Sequence, residues 1–138
     1  MATPQIIKDF FVYTSPVFSN IGANASQTQN ISILADSDFE IQKLTMWANI
    51  ANGTLTNATQ VLPNLNVLIT DTGSGRQFMN TAVPVASLFG TAQNPFILPM
   101  PKLVRARSVL AIQVTNFDAA VTTYQLYLSF IGNKIYTL

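Results

Sequence analysis

The stretch Ser108-Val109-Leu110-Ala111-Ile112-Gln113-Val114-Thr115-Asn116, continued by Phe117-Asp118-Ala119-Ala120 and then Val121-Thr122-Thr123-Tyr124-Gln125-Leu126-Tyr127-Leu128-Ser129-Phe130-Ile131, decides the fold class. In its first half Leu110, Ile112 and Val114 alternate with polar Gln113 and Thr115. In its second half Tyr124, Leu126, Leu128 and Phe130 alternate with Thr123, Gln125 and Ser129. A period of two puts one set on each face of an extended chain, so both segments are strands with one buried face. Asn116 and Asp118 are turn formers, and the segment between the strands predicts an antiparallel hairpin.

Working back toward the N-terminus, the chain continues in the same idiom. Residues 1–5 read as a flexible arm and residues 6–138 as one β-sandwich domain. The segment 6–13 is a strand with Phe10, Phe11, Val12 and Tyr13 apolar in both phases, which fits a core position or a second face against a neighbour. Residues 14–29 are polar, nearly uncharged and broken by Pro16 and Gly22, hence a long loop. Residues 30–34 alternate with Ile31 and Ile33 inward. In residues 39–50 the apolar phase begins on Phe39 and Ile41 but resumes on Leu44, Met46 and Ala48, and this slip predicts a β-bulge at Gln42-Lys43. Trp47 then falls on the outer face, where an interface is expected.

Residues 52–64 form another polar loop, 67–72 a short strand and 76–80 its return after Gly73-Ser74-Gly75. Residues 84–90 read as a helical turn with Gly90 as C-cap. Residues 94–100 carry Pro95 and Pro99, with Pro101 beyond them, which restricts them to an edge strand. Gly132-Asn133 reads as a turn before a terminal strand or tail. The sum is an all-β, jelly-roll-like β-sandwich of about eight strands in a single domain.

Composition narrows function mostly by exclusion. Only 9% of the 138 residues are charged and the formal net charge is +1. A chain with so little basic excess has nothing with which to displace counterions from nucleic acid. Weak self-repulsion suits a protein that lies against a partner surface. Cysteine and histidine are both absent, which removes disulfides, thiol chemistry and every imidazole-based scheme. We expect no signal peptide, no membrane span, no cofactor, no metal and no small-molecule substrate.

Two motifs carry candidate chemistry. Asp71-Thr72-Gly73-Ser74-Gly75 contains the Asp-Thr-Gly triplet of aspartic proteases, and Phe130-Ile131-Gly132 resembles the apolar element that backs the catalytic loop in that family. A homodimeric aspartic protease using Asp71 is therefore the alternative of another class. Against it stand polar Thr70 before the triplet, a proline-rich 94–101 segment where a flap belongs, and the suitability of Asp-Thr-Gly-Ser-Gly for an ordinary hairpin turn. Asp36, Asp38 and Glu40 lack the spacing of a calcium loop and read as a turn. Lys102, Arg105 and Arg107 form the one basic cluster, either a partner contact or a charged strand edge.

The run Asp71 to Arg76, Pro84-Val85, Phe89-Gly90-Thr91, Pro95-Phe96-Ile97-Leu98-Pro99, Ser108-Val109-Leu110 and Asn116 resembles the jelly-roll capsid cement, or decoration, proteins of tailed bacteriophages, over about the C-terminal half of the chain. The resemblance implies a non-enzymatic virion protein on the outer surface of the capsid. Such a protein is made in the host cytoplasm, binds the major capsid protein as a homodimer and stabilises the head. A tail or receptor-binding β-sandwich is the nearer alternative. The resemblance carries no residue-level motif. From the residues themselves, the expected partner contacts are Phe11, Tyr13, Trp47, Lys102, Arg105 and Arg107.

Overall fold

The computed structural model describes residues 5–19, 21–50, 61–117 and 124–137. Nine strands and one helical turn follow in chain order: β1 (Ile6–Thr14), β2 (Ser26–Ser32), β3 (Asp38–Ile50), β4 (Leu65–Asp71), β5 (Arg76–Gln77), β6 (Val83–Pro84), α1 (Val85–Leu88), β7 (Phe96–Val104), β8 (Val109–Asn116) and β9 (Tyr124–Thr137). They form two antiparallel sheets, ordered β1-β9-β3-β7 and β2-β8-β4-β5, with β6 also paired to β4. First strand pairs with last, second with second to last, β3 with β7, and β4 with β5 and β6. The chain is thus one long hairpin, its tip at residues 71–76, wound into a sandwich. That is the jelly-roll topology, with nine strands instead of about eight.

The strand phases read from the sequence hold in the two decisive segments. Leu110, Ile112 and Val114 of β8 and Leu126, Leu128 and Phe130 of β9 are all fully buried. Their pairing does not hold. β8 belongs to one sheet and β9 to the other, so the chain changes sheets between Phe117 and Tyr124 instead of making a hairpin. Alternation reports that one face is buried; it is satisfied equally by neighbours in a sheet and by strands facing across a core. The Asp118 turn itself lies outside the described residues, as do residues 1–4 of the expected arm and 52–60 of the expected loop.

Other boundaries moved for local reasons. β2 begins at Ser26, four residues before its apolar phase, because pairing to β8 holds its polar half as an edge strand. The return of the 71–76 turn is only two residues long. Gly90 does not cap α1: Phe89 ends the turn in extended conformation, and Gly90 bridges Thr45 of β3. Gly132-Asn133 is no turn either, since β9 runs through it without interruption.

The expected bulge is present. Both partners of β3 shift register between Ile41 and Lys43. On the β9 side Gly132 lies opposite Ile41, and a Cβ there would collide with the Glu40 carbonyl. On the β7 side Ile41 faces Lys102 whereas Lys43 already faces Ile97, so Pro99, Met100 and Pro101 bow outward from the ladder.

A lysine is buried in the wall formed by the four-stranded sheet. Lys134 points inward from β9 and is 7% exposed, with its ammonium 4.0 Å from the centre of the Phe11 ring and 3.2 Å from Asp36. The Lys134 hydrogen bond holds the Asp36 carboxyl below its usual pKa. Burial works against the Lys134 ammonium, but the Asp36 hydrogen bond and charge raise its pKa on balance. Because the Asp36 pKa is depressed on folding, its contribution is complete above the ordinary carboxylate range and is lost as pH falls through the folded value. Asp36→Asn is therefore expected to lower the thermal midpoint at pH 5–7, with wild type and variant converging below about pH 4. A midpoint difference that persists unchanged at pH 2 would show that the pair does not act through charge.

Candidate docking surface

The outer face of the β1-β9-β3-β7 sheet is the feature that the core does not explain. In β1 the odd residues point inward, leaving Ile6, Lys8, Phe10 and Val12 on the outer face; Phe10 is 68% and Ile6 64% exposed. Register extends the face across the sheet. Val12 stands beside Ile131, Ile131 beside Lys43, and Lys43 beside Ile97, itself 65% exposed. The next row runs Phe10, Asn133, Glu40 and Leu103. Antiparallel sheets with one solvated face usually make it polar. Here charge on these rows is confined to Lys43 and to Glu40, which is paired with Lys8 at 3.4 Å. An apolar face interrupted only by Lys43 and the Glu40–Lys8 pair favours a protein partner over bulk water.

The sequence candidates meet this face unevenly. Tyr13 is 7% exposed; its hydroxyl accepts the Leu34 N–H, and its ring packs edge-on against Phe39. Phe11 is half-buried between the Tyr13 ring and the Lys134 ammonium. Both therefore belong to the inner side of β1, and Phe10 and Val12 are the residues on the surface. With both phases of β1 apolar, the sequence held no signal to tell which was outward; only pairing with β9 decides it. Trp47 does lie in the outward row, half-buried, its ring 5.7 Å from that of Tyr127 on β9.

The basic cluster is divided among three tasks. Lys102 lies over the Phe78 ring at 4.9 Å, at an apolar pocket of about 250 Å³ lined also by Leu44, Ile69, Leu98 and Met100. Arg105 pairs with Asp38 at 3.3 Å, and Asp38 also accepts the Ala106 N–H. Arg107 occupies the turn into β8 with φ +67°. Asp36, Asp38 and Glu40 each answer a different cation, Lys134, Arg105 and Lys8. Among the described residues no group of three or more His, Cys, Asp or Glu is placed to hold a metal ion.

Asp71 is 6% exposed at the end of β4, and its carboxylate accepts the Gly73 N–H at 3.0 Å while its carbonyl accepts the Gly75 N–H. Gly75 has φ +72°, a conformation that side chains rarely adopt. The triplet is used here as the tip of the wound hairpin. Phe130-Ile131-Gly132 is the interior of β9 in the opposite sheet. A cleft of about 530 Å³ opens beside Trp47, lined by Thr45, Thr91, Gln93 and Ser129 among others. No family model, curated protein or solved structure matches the chain.

Proposed function

We propose that the chain is a virion structural protein that lies on the outside of a capsid shell and stabilises it without catalysis. The observation that carries this reading is the apolar outer face of the four-stranded sheet, centred on Phe10, Val12, Ile131 and Ile97. The jelly-roll topology is one that viral coat and lectin domains share, and the sequence resemblance to phage cement proteins points the same way. A protein that binds only the assembled shell shifts the equilibrium toward it by mass action. Contacts repeated around a lattice need not be strong singly.

Because this face is mostly uncharged, binding is expected to survive salt that screens surface ion pairs. Purified protein added to heads that lack it should raise the temperature at which they release their contents, with little change between 0.1 and 0.5 M salt. Replacing Phe10 and Val12 together by Lys should abolish that rescue, whereas replacing Lys102, Arg105 and Arg107 by Ala should not. Rescue lost only in the basic-cluster variant would move the interface away from this face. A second reading, a tail or receptor-binding sandwich, is favoured by the Trp47 cleft, whose neutral hydroxyl and amide groups beside an aromatic suit a polyhydroxylated ligand. Complete robustness of particles lacking the protein, with failure at adsorption, would select it.

A further inference from the structure

The sandwich is left open along β7. Lys102 of β7 faces buried Ile41 and Ile97 faces exposed Lys43, so the alternation of β7 is unbroken through its proline segment. Phe96, Leu98, Met100 and Lys102 therefore turn toward the space between the sheets. Met100 is nevertheless 79% exposed, and the other three are only half-buried. Two breaks in the sheets cause this. On one wall Leu98, Pro99, Met100 and Pro101 stand opposite Gln42 alone, which carries Met100 outward. On the other, β4 pairs with β5 at Thr70 and Asp71 and with β6 at Asn66 and Val67, and the chain between β5 and β6 leaves its edge. There the Ile69 N–H donates to the Met79 sulfur at 3.3 Å. Between these breaks lies the apolar pocket of about 250 Å³, with buried Leu44 and Ile69 as its floor.

Lys102 is the one lining residue with a polar side chain, and its ammonium stands 4.9 Å from the centre of the Phe78 ring. Among the described residues the ion pairs are made by Lys8, Arg105 and Lys134, and none by Lys102. An apolar slot beside a cation without a counter-charge is complementary to an amphiphile of the opposite sign. We propose that this pocket binds a fatty carboxylate of medium chain length, its tail on Leu44 and Ile69 between the sheets and its carboxylate on the Lys102 ammonium.

Size and charge select this class. The pocket exceeds the roughly 150 Å³ cavity that holds a benzene ring and falls short of the roughly 300 Å³ at which sites for drug-sized ligands begin. One short chain fits; a two-chain lipid does not. A single lysine answers the single charge of a carboxylate, whereas a phosphate monoester carries nearly two. Met79 and Met100, unbranched and flexible, adapt to a chain of no fixed shape. The site shares no residue with the outer face centred on Phe10, Val12, Ile131 and Ile97, so ligand binding here and shell docking there stand or fall separately.

The chain has four methionines, which makes methionine labelled with ¹³C in its methyl group a site-specific NMR probe. Decanoate titrated into the full chain should shift the Met79 and Met100 methyl signals and leave that of Met46, which lines the Trp47 cleft, in place. By calorimetry Lys102→Gln should weaken decanoate binding about tenfold and leave the binding of decanol, which has no charge, unchanged. Unmoved Met79 and Met100 signals at about 1 mM decanoate overturn the proposal and leave the pocket to an apolar side chain of a protein partner. A Met46 response as large as theirs marks adsorption to any apolar surface and overturns it too. So does a Lys102→Gln variant that binds decanoate as the wild type does, or that loses both ligands alike.

Discussion

Gly132→Ala is expected to destabilise the domain by about 3 kcal/mol or more, toward the severe end for a single methyl group. The added carbon would meet the carbonyl of Glu40, which is backbone, in the bulge that shifts β3 against β9. A flexible side chain could rotate away from such a clash; a carbonyl fixed in a central strand has nowhere to go without disturbing the ladder. β3 and β9 form the long central pair of their sheet, so the disturbance falls where the sheet has no edge to absorb it. Urea denaturation of wild type and variant measures the loss directly. A difference below about 1 kcal/mol would mean that the bulge relaxes freely and that the glycine is not required by the approach of the two strands.

Leu126→Ala should cost about 2–5 kcal/mol, whereas Gln125→Ala should stay within about 0.5 kcal/mol. Leu126 is fully buried in the core between the sheets and also exchanges main-chain hydrogen bonds with Phe18, while the side chain of Gln125 points to the outer face. The cost at Leu126 is the lost transfer energy of the deleted carbons plus the cavity they leave. Comparable small effects at both positions would show the phase of β9 to be wrong.

The contrast between these two sites shows what the sequence could express. Phase was legible wherever apolar and polar residues alternate, as in β8 and β9, because a one-residue slip would expose a whole row of Leu, Ile and Val. The bulge was legible too, since the apolar set of β3 changes parity between Ile41 and Leu44. Partnership was not legible. Nothing in residues 108–131 distinguishes two strands hydrogen-bonded side by side from two strands facing across the core. Gly132 was misread for a related reason: close backbone approach and turn formation both call for glycine, and only the position of Glu40 tells them apart. Lys134 escaped notice because a lysine at an inward position looks like a strand end until Phe11 and Asp36 are seen beside it.

On the candidate surface the same ambiguity applies. β1 is apolar in both phases, so composition identified the strand but not that Phe10 and Val12, rather than Phe11 and Tyr13, face out. The basic residues look like one cluster along the chain, but the jelly-roll path gives them an aromatic ring, an aspartate and a turn.

The proposal that this chain docks on a capsid shell through the outer face of the β1-β9-β3-β7 sheet is tested most directly by a cryo-EM reconstruction of a virus particle found to contain it. The account predicts copies on the outside of the head, with Phe10, Val12, Ile131 and Ile97 against the shell. Copies confined to the tail, or seated on the shell through the β2-β8-β4 sheet with that face open to solvent, would contradict it.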